Sequence, residues 1–323
     1  MPDTPDNQAQ WPQPKQAKPG CSFPVMRIVG LFSLATGVLI DLAHGPLAVH
    51  ERTLLRRLWH RLSPGDVLLT DRGFGSYVEF HLLGRKGVDC VMRRSGRRKP
   101  GEVVKRLGPR DRIVRWKKAA VRPEWLEPGA WEAVPETLLV REVTVHVEEP
   151  GLRTRTIEVV TTILDPGQYP AHEIAALYRR RWRVELHLRD IKTTMGMDVL
   201  SCRTPSMVEK ELWMYVIAYN LIRAVMAQAA LTGQGDRERI SFKGAVSTLR
   251  QWAPVLAGTG LDGEERLDLY EAMIYYISRD VVPLRPDRLE PRARKRRPKN
   301  YQLLNRPRAG FREIQHRSKY TKA

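Results

Sequence analysis

One stretch, Tyr178 to Lys192, constrains the fold more than any other. It holds neither proline nor glycine and is rich in Arg, Leu and Glu. These are good helix formers, so the stretch is expected on an α-helix running from about Ala171 to Thr193. At ~100° per residue, Arg181 falls about 60° behind Tyr178, Glu185 about 20° and Lys192 about 40°. Tyr178, Arg181, Glu185 and Lys192 then share one narrow polar stripe. Leu177, Val184, Leu188 and Ile191 form a neighbouring apolar arc suited to anchoring the helix on a core. Two readings fit the stripe. Charged helix faces are commonly solvated and laced by i,i+4 ion pairs. Alternatively, a carboxylate framed by a phenol, a guanidinium and an ammonium can hold a metal ion beside a phosphate. Trp182, next to the stripe, either packs on a sheet, as most helix aromatics do, or stacks on a base.

The rest of the chain supplies a context. Residues 1–22 carry five prolines among polar residues and read as an extended, irregular arm. Phe23 to Leu34 and Gly37 to Ala43 look like the strands of an antiparallel hairpin. Val49 to Leu62 has helical periodicity, Asp66 to Asp71 is a short buried strand ending in a carboxylate, Tyr77 to Leu83 is helical, and Val88 to Met92 is a strand. From about Arg94 to Asp165, Gly, Pro and charge punctuate short alternating runs (Arg112 to Trp116, Leu138 to Val147, Arg155 to Ile163), the texture of a β-rich insertion. Thr204-Pro205, a cap residue and a proline at the first helical position, opens a long apolar helix to about Leu231. Further helices are expected near Ser241 to Leu256 and Glu264 to Ser278. The expected organisation is thus an α/β fold in four parts: 1–94, a β-rich insertion at 95–165, a helical part at 166–260, and a C-terminal helix with a basic tail at 261–323.

Charge decides the class of partner. The 323 residues carry a formal net charge of +19, and the sequence pI is near 10.2, which calls for a polyanion. Residues 285–323 hold fourteen Lys or Arg against three Asp or Glu, densest at Arg294, Lys295, Arg296 and Arg297. Basic tails are often only solvating, but so concentrated a surplus favours phosphate contacts. The mostly apolar run from Ile28 to Ile40 is too short for a bilayer, no apolar leader opens the chain, and three cysteines lack metal-ligand spacing. Nucleic acid is therefore expected rather than membrane, in a reducing cytoplasm.

The residues of the stripe carry a specific resemblance. Tyr178, Arg181, Glu185 and Lys192 match the Tyr-x2-Arg-x3-Glu-x6-Lys pattern of bacterial insertion-sequence transposases of the DDE class, in the large family numbered four. Thr70-Asp71-Arg72-Gly73-Phe74 resembles that family's second catalytic strand. The segments Pro2 to Gln8 and Gly20 to Val25 resemble its segment after the first catalytic strand, and Thr204 to Asn220 and Lys295 to Pro298 resemble further family blocks. The resemblance implies an RNase H-like core, a mixed five-stranded sheet flanked by helices, interrupted by a β-rich insertion and followed by a helical and basic C-terminal region. It implies Mg²⁺ or Mn²⁺ held by Asp71 and Glu185 as catalytic carboxylates. Tyr178, Arg181 and Lys192 would hold DNA phosphates near the metal, with Arg294, Lys295, Arg296 and Arg297 as further phosphate contacts. It also implies DNA (transposon ends and target) as partner, a homodimer on paired DNA ends, and a nucleoid-associated location in a bacterial cytoplasm. An Asp in a turn after a strand is common, so Asp71 is singled out by its Arg-Gly-Phe context.

One departure from the family pattern matters. The family's first catalytic Asp lies in an Asp-Gly-Thr block ahead of the Pro-Asp-Thr-Pro segment, and here Met1 immediately precedes Pro2. Asp3, Asp6 and Asp41 do not take its place. The expectation is an N-terminally truncated transposase that binds DNA without cutting it. The alternatives are an intact enzyme whose start lies further upstream and a non-catalytic DNA-binding remnant or regulator.

Overall fold

The computed structural model describes residues 1–283 except 19, 97, 99, 100, 147–155 and 233–238, together with residue 310. The basic cluster Arg294, Lys295, Arg296 and Arg297 lies outside the described residues.

A six-stranded mixed sheet forms one half of the molecule. Its strands are β3 (Val67–Thr70), β4 (Asp89–Arg93), β5 (Glu102–Gly108), β6 (Asp111–Lys117), β7 (Thr137–His146) and β8 (Thr156–Thr161), in the order β3-β4-β8-β7-β6-β5. Only β3 and β4 run parallel, and every other pair is antiparallel. β1 (Met26–Phe32) and β2 (Leu39–Pro46) form the expected hairpin, a separate two-stranded sheet. The resemblance implies five strands in the sheet. The described residues place six there, because β8 pairs with β4 and so carries β7, β6 and β5 into the same sheet. β5 carries no readable sequence signal. It is an edge strand whose first five residues, Val103 and Val104 included, are exposed, so no in–out alternation marks it.

Strand parity divides the sheet between two cores. Cys90, Met92, Val114, Trp116, Val140 and Val160 face one way, against Leu54, Leu55 and Leu58 of the α2 region (α2, Glu51–Arg57) and Val78, Phe80 and Leu83 of α3 (Tyr77–Arg85). Val91, Val143, Val145 and Val159 face the other way, against Ile174 and Tyr178 of α5 (Ala171–Arg180). Period-two alternation in buried strands produces this split. A fully buried Arg141 on β7 pins the entry to α5. Its guanidinium donates to Asp111 at 2.8 and 2.6 Å and to the carbonyl of Tyr169 at 2.7 Å. A charge at such depth is tolerated only when paired and fully hydrogen-bonded.

The second half is helical: α7 (Pro205–Thr232), α8 (Phe242–Leu256) and α9 (Gly263–Arg279), close to the expected bounds. Val208, Leu212, Val216, Tyr219 and Met226 of α7 pack with Phe242, Ala245, Met273, Ile274 and Ile277 and with Leu39 and Leu42 of the hairpin. Asn220 ties α7 to β2 by accepting from the Leu39 N–H and donating to its carbonyl, both at 2.9 Å. Two expectations need correction here. Residues 1–22 are not wholly irregular: Thr4 caps a short helix, α1 (Pro5–Gln10), and Trp11 is fully buried against the helical half. Thr-Pro is a helix-start signal that the proline count obscured. And α7 is long and apolar enough, by length and composition, to cross a membrane. The apolar run that matters is not Ile28 to Ile40. One face of α7 packs against α8 and α9, and Arg223 lies near its middle, while Trp213, Met214, Ile217 and Leu221 stay exposed.

Candidate functional site

The site forms where the carboxyl ends of β3 and β4 meet the helix that covers them. Thr70 lies opposite Met92 in the parallel pair, so Asp71 and Arg93 come next, side by side. Asp71 follows Leu69 and Arg93 follows Val91 on the face that packs against α5. Carboxyl ends of parallel strands are common ligand positions in open α/β sheets. Asp71 is partly exposed, and its Oδ1 accepts the Arg72 N–H at 2.8 Å.

Tyr178 sits above this row, 5% exposed, at the last buried turn of α5. Its hydroxyl finds no hydrogen-bond partner among the described residues. Burial pushes the phenol above its ordinary pKa. Arg181 pulls it partway back, Asp71 raises it, and Arg93 lowers it. All three charges therefore act on one phenol. The Arg181 guanidinium lies 5.7 Å from the Tyr178 ring centroid, with no hydrogen bond of ordinary geometry between the two side chains.

Beyond Tyr178 the helix is not uniform. At Arg181 the backbone tightens into i→i+3 bonds, Arg181 N to Tyr178 O and Val184 N to Arg181 O, each 3.0 Å. It resumes as α6 (Trp182–Arg189) and then widens into a π-helical segment, Asp190–Thr194, with Met195 N reaching Asp190 O at 3.0 Å. Wide turns of this kind inside α-helices are frequent at functional sites. The single stripe expected from a 3.6-residue period therefore does not survive intact. Arg181 and Glu185 do meet, Nη2 to Oε1 at 3.2 Å. Tyr178 turns into the core, while Lys192 sits exposed on the wide segment and its ammonium pairs with no described residue. The apolar arc also differs. Of Leu177, Val184, Leu188 and Ile191, only Ile191 is fully buried, and Ile174, Tyr178, His187 and Asp190 take up the rest of the contact. Trp182 is 49% exposed, so it is not packed away on the sheet.

A polar network holds the wide segment. Arg223 on α7 donates to Nδ1 of His187, to Asp190 Oδ2 at 3.3 Å and to the Tyr219 hydroxyl at 3.0 Å; Tyr219 in turn donates to the Gly37 carbonyl at 2.7 Å. Arginine only donates, so His187 must accept at Nδ1 and carry its proton on Nε2. Burial, then Arg223 and Arg183, depress its pKa to about 4. Phe32 stacks on the imidazole with ring centroids 5.6 Å apart. Gly37 has φ +75°, and a Cβ there would lie 2.9 Å from His187. The hairpin turn thus reaches the site helix only through a glycine. Sequence reasoning missed Arg93, Arg223 and His187. Arg93 could have been found from its strand-end position level with Asp71. Arg223 and His187 carry no such signal, because their meeting depends on how α6 crosses α7.

The acidic residues near the chain start offer no further ligand here. Asp41 is committed to Arg61 Nε at 2.7 Å, and Asp3 accepts from Gln8. Among the described residues no group of three or more His, Cys, Asp or Glu is arranged to hold a metal. Asp71 and Glu185 are hard oxygen donors of the kind Mg²⁺ takes. They fit such an ion in type, but two carboxylates are few for a pair of ions.

A family model described as "Transposase DDE domain" matches residues 2–221, and the chain belongs to that family. It is similar to the transposase InsG for insertion sequence element IS4 of Escherichia coli (strain K12), 28% identical over 308 residues. That match takes in 93% of this chain and 66% of the relative, so the chain spans about two thirds of the relative's length. The mixed α/β architecture with a helical C-terminal half is consistent with the family's fold.

Proposed function

We propose that this chain is a transposase-derived DNA-binding protein, its site built on the plan of metal-dependent DNA strand cleavage and transfer. One observation carries the reading: Asp71 ends a parallel strand beside Arg93, under a helix that presents Tyr178 and the Arg181–Glu185 pair. Carboxylates and cations are interleaved there, as binding a phosphodiester beside a cation requires. Asp71 and Glu185 would hold Mg²⁺ or Mn²⁺, which when bound activates the attacking oxygen and stabilises the leaving one. Arg181 and Lys192 would orient the scissile phosphate, Arg by bidentate bonds and Lys as a point charge, and the Tyr178 hydroxyl, without a hydrogen-bond partner of ordinary geometry among the described residues, would donate to it. The core would be RNase H-like, from residues 1–94 and 166–260, with 95–165 inserted and 261–323 supplying the basic tail. Arg294, Lys295, Arg296 and Arg297 would add phosphate contacts, and two copies would act on paired DNA ends in a bacterial nucleoid.

A second reading, binding without cleavage, is favoured because among the described residues no group of three or more His, Cys, Asp or Glu is arranged to hold a metal. Duplex binding should survive EDTA and the Asp71→Ala/Glu185→Ala double variant, with no Mg²⁺-dependent cleavage. Cleavage that needs Mg²⁺ and disappears in either single variant would replace this reading with that of a working nuclease and strand-transferase. A chain that binds no duplex at low salt would refute both.

A further inference from the structure

A concave pocket of about 350 Å³ opens beside Asp71 at the same end of the sheet. Arg72, Arg93 and Arg94 line it with Thr144, Thr156 and Glu158. β-sheet register explains the gathering. Arg93 pairs with Val159, Thr144 with Glu158, and His146 with Thr156, so the ends of β4, β7 and β8 converge. The charges do not cancel. Glu158 is taken by Arg94, which donates to it through Nε at 2.6 Å and through Nη2, and by Arg112 at 3.8 Å. Among the described residues, no hydrogen bond or ion pair occupies the guanidinium of Arg72 or of Arg93, and Asp71 pairs with neither. Two uncompensated guanidinium groups and two hydroxyls thus border one cavity, next to the carboxylate assigned to the metal.

The geometry points to this pocket as a binding subsite for one phosphodiester of the DNA backbone, held by Arg72 and Arg93. The assignment rests on the reading of the neighbouring site as one that acts on DNA. Guanidinium groups match phosphate oxygens bidentately, and a concave rim excludes water from those bonds. Among the described residues its lining holds no aromatic side chain on which a base could stack, and Ile157 is its one large apolar member. It therefore reads backbone, not sequence. Its place at the strand ends would fix the register of the DNA relative to Asp71, so that the neighbouring phosphate meets Arg181 and Lys192. Sequence reading put phosphate contacts on the Tyr178 helix and the basic tail, and this site adds a third element, the sheet itself.

Duplex DNA binding by the full chain, titrated with salt, tests the assignment. Neutralising one phosphate contributes about 0.9 to the slope of log K against log salt. Arg72→Ala/Arg93→Ala should lower that slope by about 0.9 and weaken binding roughly tenfold at fixed salt. Arg72→Lys/Arg93→Lys should restore the slope while binding more weakly than the parent, because charge returns without the fork. Lys105→Ala/Arg106→Ala, an equal charge loss on the exposed β5 edge, should leave the slope within error. If the parent binds DNA and the slope is the same in the Arg72/Arg93 double variant, or falls equally in the β5 control, the pocket assignment fails and the reading of the main site stands. If the parent binds no DNA, both fail together. Inorganic phosphate supplies the other arm. Thermal stabilisation by phosphate that matches that by duplex, and is lost only in the Arg72/Arg93 variant, would make the pocket a small-anion site and overturn the DNA assignment.

Discussion

The two ends of the site helix are held by different balances of packing and hydrogen bonding. Its amino-terminal end, α5, lies on the sheet through Ile174 and Tyr178 against Val91, Val143 and Val159, an apolar contact, with Arg141 bonding the Tyr169 carbonyl just ahead of it. Its carboxyl end, α6 and the wide segment, is held by Arg223 of α7 reaching His187 and Asp190 while it also bonds Tyr219 of its own helix. Apolar packing specifies position through volume and tolerates small shifts. A network of guanidinium, imidazole and carboxylate specifies geometry through bond directions, and fails when one member is lost. The wide segment sits at the directional end. A local departure from α-helical register costs backbone regularity, and two hydrogen bonds from α7 offset that cost. The contrast explains how Glu185 and Lys192 can occupy a helix whose pitch changes twice without losing definition.

The sharpest way to break the contrast is to remove the directional anchor. Arg223→Ala leaves Asp190 buried and unpaired and Tyr219 short of a donor. It should destabilise the chain by about 3 kcal/mol in urea unfolding. Arg223→Lys should recover only part of that, because one ammonium cannot reach three acceptors in a fixed fork. An Arg223→Ala chain as stable as the parent would show that the helical end is held by packing after all.

Acid should act on the same end. His187 titrates near 4 in the folded chain, below its ordinary value of 6.5. Between these values the unfolded state binds the extra proton, so stability is fully present above about pH 6.5 and falls as pH drops towards 4. Asp190, whose pKa burial raises, opposes the loss at the acid end of that window. The net change should be on the order of 2 kcal/mol at ~1.4 kcal/mol per pKa unit. The slope between pH 6.5 and 4 should flatten in His187→Leu, and an unchanged slope in that variant would place the acid sensitivity elsewhere.

The apolar end should respond least. The Tyr178 hydroxyl is buried without a hydrogen-bond partner of ordinary geometry among the described residues, so Tyr178→Phe removes a polar group that is poorly bonded. Stability should stay within about 0.5 kcal/mol of the parent or rise slightly. Duplex affinity should fall at the same time, since the hydroxyl is assigned to phosphate. A drop in stability above 1 kcal/mol would show that the hydroxyl is bonded in the free protein, and unchanged affinity would remove Tyr178 from the binding surface.

Much of this was legible in the residues. The hairpin, the helix from Glu51, β3, α3, β4 and the three long helices all follow from periodicity and punctuation, because each buries one face and declares it. β5 did not, since an exposed edge strand buries nothing. α1 was overlooked because its cap and proline stand in a stretch dominated by other prolines. The Tyr178-to-Lys192 pattern placed the helix and its four polar residues. It could not place the two changes of pitch, which the backbone makes to satisfy contacts far along the chain.

The sequence by itself determined the residue types of the site and their spacing: two carboxylates, a phenol and cations, on a strand end and a helix. The tertiary structure alone decided their company. Parallel pairing of β3 with β4 put Arg93 beside Asp71, and β8 against β4 gathered Arg72, Arg93 and two threonines around one pocket. The crossing of α6 over α7 put Arg223 on His187 and Asp190, two residues that local pattern would have left on a solvated face. Spacing along a chain fixes which groups can share an element, because that depends on local dihedral angles. Which elements become neighbours depends on burying the apolar faces of all of them at once, and no single stretch contains that information.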